Sequence, residues 1–375
     1  LQTRRRLAVS SAAANPRFQV PNLQASSPGL IAFAVSVGLA TLLTVWPAVS
    51  QCSTGANHSM LKGHRFRSSW ARAAYHKMQF DTEHLSENSR HLEWYRLEQP
   101  QLLPKELADA FVQLEQDAET EAFLANSYAK SERLLTQLYH RVAKPLLCMF
   151  MSVTSANGFL RRGSMFVLSG EQFRRLIVGS DSGDHQQQQE PLFDSLLDLG
   201  AGDGNVTSHY AGYFRRVFAT EMATVMTWRL AERGYTVVDP ITWLPTQPAT
   251  DAEPELDAHY DLIGCFNLLD RCEAPLDLLA QAKRRLRPGS GRLLLAIVVP
   301  VRQFCEFAPG NRPAQVLAVS GPTFEEQLAS LVSNVLRPQG WAVERWAKAP
   351  YLCEGDLYQS FYHLTDAVLL LRPAD

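Results

Sequence analysis

Acidic residues are missing from the first 80 positions of this chain. Nine of its 36 lysines and arginines fall there and none of its 38 aspartates and glutamates, which leaves 27 bases against 38 acids in the rest. A body of that sign repels a phosphate backbone, so nucleic acid is not an expected partner. Cysteine is scarce as well. The six that occur are far apart, with no C-x-x-C pair and no Cys/His spacing suited to zinc, so no metal is expected and the thiols read as small buried hydrophobes. No repeat of 20–50 residues is visible, which excludes solenoids and propellers.

Charge of either sign is absent from Phe18 to Leu61. Within that stretch Gly29–Ser50 is apolar or small throughout, and about 20 such residues suffice to cross a bilayer as a helix. Arg4–Arg6 and Arg17 precede it, as in a signal peptide or signal anchor, and Ala48 and Ser50 have the small side chains of a cleavage site. An arginine-rich arm without acids equally suits a mitochondrial transit peptide. Asn57-His58-Ser59 is a glycosylation acceptor and favours the secretory reading. The endoplasmic reticulum or secretory pathway is therefore expected, with the mitochondrion as alternative and membrane contact through residues 29–50.

Three regions follow from composition. Residues 1–95 combine the apolar segment with a polar, basic stretch (51–95) that has no sustained period and reads as linker. Residues 96–180 carry apolar side chains at helical spacing, such as Leu107, Phe111 and Leu114, then Leu134, Leu135, Leu138 and Tyr139. Pro145 is expected to bend or end the last of these helices. After the hydrophilic break Asp181–Glu190, residues 190–373 form the main domain. Its short apolar runs (195–199, 217–220, 236–238, 260–266, 292–299) alternate with helix-like segments, the signature of a parallel sheet covered on both faces. Residues 342–346 and 362–371 read as an antiparallel edge pair. The expected fold is α/β and Rossmann-like, with a mostly parallel seven-stranded sheet preceded by a helical N-terminal region.

Three motifs carry chemistry. The first is Leu196-Leu197-Asp198-Leu199-Gly200-Ala201-Gly202-Asp203-Gly204, a buried strand running into alternate glycines, with a helix expected from Asn205. Gly200, Gly202 and Gly204 allow a tight turn and close approach to a ligand. The spacing is G-x-G-x-G with an acid, Asp198, on the strand, and no G-K-[ST] follows to hold a triphosphate. It resembles the first motif of class I methyltransferases, which implies S-adenosylmethionine as cofactor. The second motif is Glu221 at the end of the next strand, placed where a carboxylate can accept hydrogen bonds from both hydroxyls of a ribose. The third is Asn267-Leu268-Leu269-Asp270-Arg271-Cys272, after the fourth strand, on the same crevice. Asn267 offers a donor and an acceptor. Asp270 either accepts a proton or orients a nucleophile, or else caps the helix that Pro275 opens.

Beyond these, Arg162 to Val167 and Pro350 to Asp356 (PYLCEGD), together with the NLLDRC string, resemble the DREV family, also called the methyltransferase-like protein 9 family, of protein-histidine N-pros-methyltransferases. The resemblance runs over roughly residues 120–373 and leaves the first 95 unmatched. It implies cofactor contacts from the glycine loop, Glu221 and Asn267, with Tyr351 closing the site. It also implies protein substrates with His-x-His segments, methylated at the ring nitrogen nearer the backbone. Asn205 stands where relatives carry an acid, with little effect expected. Asp270 is the expected acceptor for the far imidazole N–H, with Asn267 and Tyr351 shaping the slot, and the chain is expected to act as a monomer. A small-molecule or lipid methyltransferase, and a non-catalytic cofactor binder, are the alternatives.

Overall fold

The computed structural model describes residues 69–84, 91–179, 191–244, 259–306 and 308–374. The expectations placed on Gly29–Ser50, Asn57 and Asp181–Glu190 lie outside the described residues. Everything described belongs to one unit, Arg65–Asp375.

Eight strands form a single sheet: β1 (Met165–Phe166), β2 (Phe193–Leu199), β3 (Phe214–Thr220), β4 (Thr236–Val237), β5 (Leu262–Phe266), β6 (Arg292–Val298), β7 (Trp341–Glu354) and β8 (Phe361–Pro373). Their spatial order is β1-β7-β8-β6-β5-β2-β3-β4. The five strands from β4 to β6 are parallel, and β8, β7 and β1 are each antiparallel to their neighbour. This is the expected Rossmann-like sheet with one strand more. β1 is only two residues long, too short to leave a pattern in sequence, and pairs Met165 with Cys353 and Phe166 with Leu352.

Burial explains why these runs are strands. In β6, Leu293, Leu295 and Ile297 enter one core, while Leu294 and Ala296 enter the other on the opposite face. Alternate side chains leave a strand on opposite faces, so a continuous apolar run is stable only where both faces are covered.

The helices are α1 (Ser69–His84), α2 (Lys105–Asp109), α3 (Ala118–Ser131), α4 (Leu134–Leu147), α5 (Val153–Phe159), α6 (Gly170–Val178), α7 (Asn205–Ser208), α8 (Thr224–Glu232), α9 (Pro275–Arg285) and α10 (Phe324–Leu331). Several starts are set locally. Asp117 accepts from the Thr120 N–H ahead of α3, and Ser169/Gln172 and Thr323/Glu326 are capping boxes for α6 and α10. Pro145 lies inside α4, which ends two residues later at Leu147. α1 falls in the stretch read as linker. Its Lys77 ammonium pairs with Asp81 at 3.1 Å and donates to Ser131 at 2.8 Å, so tertiary partners supply what its sequence period did not. Among the described residues no helix is long and apolar enough to cross a membrane.

The N-terminal region is bonded to the sheet. Val112 N–H donates to the Trp346 carbonyl at 2.8 Å and Trp346 N–H to Ala110 at 3.0 Å. Glu325, buried on α10, accepts from the Glu98 and Gln99 amides at 2.9 and 3.0 Å. These bonds hold residues 91–116 against β7 and α10 and leave the carboxyl ends of the parallel strands as the sheet's crevice.

Candidate active site

Strand order reverses between β2 and β5, and ligands of open α/β sheets bind beyond the carboxyl ends of the strands at that point. Three segments converge there: Gly200–Gly204 after β2, Glu221 after β3 and Asn267–Asp270 after β5.

The glycine loop turns through left-handed conformations at Gly200 (φ +64°), Gly202 (φ +58°) and Gly204 (φ +72°), a region that side chains penalise. The three are not equivalent. A Cβ on Gly200 would sit 3.0 Å from Leu268, and one on Gly204 would lie 2.9 Å from both Leu230 and Tyr235. A Cβ on Gly202 would meet nothing within 4 Å. Gly204 thus lets the loop pack on α8, Gly200 lets Leu268 close over it, and Gly202 presents bare backbone to open space.

Neighbouring polar groups brace the loop. Thr220 accepts the Gly200 N–H at its hydroxyl (3.1 Å) and the Ala201 N–H at its carbonyl (3.0 Å). Glu221 accepts the Gly202 N–H at 3.1 Å with one carboxylate oxygen and the Met222 and Ala223 amides with the other, at 2.8 and 2.9 Å. The carboxylate expected to hold a ribose therefore also fixes the loop beside it. Asp198 accepts a hydrogen bond from the Thr207 hydroxyl on α7 and so ties the strand to the helix behind the loop. Burial pushes its carboxyl up to about 7, with the Glu221 charge adding to the effect. Asn205 does more than expected: its amide donates to the Met165 carbonyl at 3.0 Å and its oxygen accepts from Arg233 at 3.3 Å. It joins β1 to α8 across the loop.

The NLLDRC segment supplies the other wall. Asn267 adopts φ +52°, a conformation asparagine tolerates better than most residues. Its amide donates to Asp366 on β8 at 2.8 Å. Asp270 is almost fully buried, with Arg271 at 3.2 Å from one oxygen. The capping alternative for Asp270 is overturned. The residue at the start of α9 is Ala274, with no side-chain cap, and the first turn begins at Pro275. The amides such a cap would serve, those of Leu276 and Asp277, donate instead to the Gln315 side-chain oxygen at 2.8 and 3.3 Å.

Asp366 is the residue sequence reasoning missed. It pairs in register with Val298 on β6 and Ala349 on β7 and is fully buried. Burial pushes its carboxyl up to about 8; the Asn267 hydrogen bond opposes this rise and the Asp270 charge adds to it. Asp270 is pushed up by its own burial, with Arg271 opposing. Tyr351 stands on β7 beside this group and donates to the Met165 sulfur. Its phenol is raised well above the ordinary value by burial, with Cys353, Asp366 and Asp270 contributing. Asn267, Asp270, Tyr351 and Asp366 therefore form one polar cluster next to the glycine loop, its two acids buried and Asn267 and Tyr351 half-buried. Among the described residues, one oxygen each of Asn267, Asp270 and Asp366 is buried without a partner. Buried polar atoms are costly unless paired, which makes these three atoms candidate contacts for a ligand at the crevice.

Solved structures similar to this chain include the ribosomal protein L11 methylase of Lactobacillus delbrueckii subsp. bulgaricus (16% identity, TM-score 0.28, 51% of this chain and 74% of that one). The precorrin-6y C5,15-methyltransferase of Geobacter metallireducens GS-15 is 16% identical (TM-score 0.28, 48% of this chain and 81% of that one). The DhpI–SAH complex is 17% identical (TM-score 0.30, 68% of this chain and 96% of that one). The family model of DREV methyltransferases matches residues 94–373, a span that takes in the whole sheet, the glycine loop and the Asn267–Asp366 cluster, and the chain belongs to that family.

Proposed function

We propose that this methyltransferase acts on histidine side chains in His-x-His segments of other proteins and methylates the ring nitrogen nearer the backbone. S-adenosylmethionine is the methyl donor of the family, and the residues present fit it. Gly202 lies open to close approach, Glu221 stands beyond β3 and Asn267 has an unpaired acceptor at the crevice. When bound, that group supplies an electrophilic methyl on a sulfonium.

The protein's own task is then to present a nucleophile. A neutral imidazole is competent and an imidazolium is not. The unpaired oxygen of Asp270 is the observation that carries this reading. If it accepts the N–H of the far ring nitrogen, the near nitrogen holds its lone pair and is the one that attacks. As the N–C bond forms, positive charge develops on the ring, and a buried carboxylate stabilises it more than water would. A carboxyl raised by burial is also suited to take up the ring proton that the methylated product releases. Asn267, held by Asp366, and Tyr351, held by Met165, fix the slot, exclude water and keep the attack in line.

The test is incubation of the full chain with S-adenosylmethionine and a His-x-His peptide. Mass spectrometry should find one added methyl group on histidine, and chromatography against both methylhistidine isomers should find the near-nitrogen form. Methylation of a small molecule or lipid with none on the peptide would overturn the reading.

A further inference from the structure

Strand β1 stands at the edge of the sheet, paired only with β7. The Ser164 carbonyl accepts the Glu354 N–H at 2.8 Å. Carbonyls alternate in direction along an extended chain, so the next one, of Met165, points away from β7. It accepts the Asn205 side-chain amide at 3.0 Å. Asn205 opens α7 directly after Gly204. Its oxygen accepts from Arg233, which also donates to the Asp203 carbonyl at 2.7 Å. The glycine loop is thereby pinned to the backbone of Met165.

The side chain of Met165 runs to the other wall. Register pairs Met165 with Cys353, so it shares a sheet face with Cys353 and with Tyr351 two positions away. A diagonal neighbour on one face is within reach of a long side chain, and the Tyr351 hydroxyl donates to the Met165 sulfur. A thioether can only accept. The single phenolic proton is thus committed to β1, and the Tyr351 oxygen retains only its capacity to accept. Asp270 and Asp366 each hold an unpaired buried oxygen in the same cluster, yet the hydroxyl serves a sulfur, a weaker acceptor than either.

We propose that Met165 is a positioning residue for methyl transfer: it fixes Tyr351 as an acceptor at the crevice and ties that setting to the glycine loop through Asn205. This role rests on the histidine reading, in which Tyr351 lines the target slot. Positive charge lies on the sulfonium before transfer and on the ring after it. A hydroxyl that presents its oxygen favours both states, while one that presents its proton opposes both. Released from Met165, the hydroxyl is free to donate to Asp270 and would occupy the oxygen that takes the far ring N–H. Any residue at this position would supply the carbonyl for Asn205. The sulfur is what methionine adds, and it keeps the hydroxyl from the acids.

The experiment uses the full chain with labelled methionine methyl groups and follows the Met165 signal by nuclear magnetic resonance, assigned by its loss in M165L. Y351F removes the hydroxyl, keeps the ring and should move that signal. Saturation with S-adenosylhomocysteine should move it in the wild type and much less in N205A. Rates of transfer to a His-x-His peptide then separate positioning from the filling of space. M165L conserves volume and should fold; M165I serves the same purposes if it does not. The kcat of M165L should fall about tenfold, the loss of one hydrogen bond, with cofactor affinity unchanged. M165L combined with Y351F should be no slower than Y351F alone, because the sulfur acts only through the hydroxyl. A Met165 signal indifferent to Y351F, equal cofactor shifts in N205A, or losses that multiply in the double variant would overturn the proposal. So would a wild-type kcat in M165L. Absence of peptide methylation by the wild type would sink the histidine reading instead, and the Met165 signal would still decide where the hydroxyl is held.

Discussion

Replacing Asp366 by asparagine should make this protein more stable at neutral pH. The carboxyl is fully buried and stands at about 8 rather than its ordinary 3.8. Between those values the folded chain keeps a proton that the unfolded chain has released. The group's contribution is therefore fully present below the lower value and is lost as pH rises through the upper one. At about 1.4 kcal/mol per pH unit, the climb from pH 4 to pH 7 removes on the order of 4 kcal/mol. That figure is a ceiling, because part of the rise comes from the Asp270 charge. Asparagine has the shape of the neutral acid, and its oxygen can still accept from the Asn267 amide, now at 2.8 Å from Asp366. If half the ceiling is recovered, Asp366→Asn gains about 2 kcal/mol at pH 7.5 and melts about 3 °C higher for a unit of this size. The gap should shrink towards pH 5. Thermal denaturation followed by circular dichroism across pH 5 to 8 measures both. A variant that melts below the wild type at pH 7.5 would refute the reasoning, because it would mean that the carboxylate is ionised and satisfied in the folded chain.

Asp270→Asn keeps the size of the side chain and removes its charge. With no helix resting on it, the variant should fold and bind cofactor normally while peptide methylation slows about a hundredfold, a typical loss for an electrostatic stabiliser. Single-turnover rates check this, and an unimpaired rate removes Asp270 from the chemistry. The glycines should separate by role. Gly202→Ala projects into the open side of the loop and should weaken cofactor binding by about tenfold or more, the equivalent of about 1.4 kcal/mol, while its left-handed φ costs about 1–2 kcal/mol of stability. Gly204→Ala carries the same backbone cost and also drives into Leu230 and Tyr235, so it should lower stability further. Calorimetric titration and melting curves of both variants would expose the opposite pattern.

Much of the fold was legible in sequence because its signals are local. The runs that became β2, β3, β5, β6 and β8 each hold a contiguous apolar stretch (Leu196-Leu197, Val217–Ala219, Leu262–Phe266, Leu293–Val298 and Ala367–Leu371), and burial on both faces admits little else there. The glycine loop was legible for a similar reason: three alternate positions with left-handed φ require the residue that lacks a Cβ. What lay beyond the sequence depends on partners distant along the chain. α1 is fixed by Lys77 reaching Ser131, 54 positions away, and two-residue β1 exists because β7 offers it an edge.

The cluster next to the loop divides in the same way. Asn267 and Asp270 stood out because they follow a buried strand at the crevice. Asp366 sits 99 positions beyond Asn267, inside an apolar run where a lone acid has no local meaning. Only the antiparallel return of β8 between β6 and β7 brings it to the Asn267 amide, and only burial there raises its carboxyl. By itself the sequence determined the strands, the loop and the residue types the chemistry needs, since backbone sterics and hydrophobic period act over a few residues. Which acids share a cluster and which glycine opens to a ligand were decided by tertiary structure, because desolvation depends on what packs around a side chain and not on its neighbours in the chain.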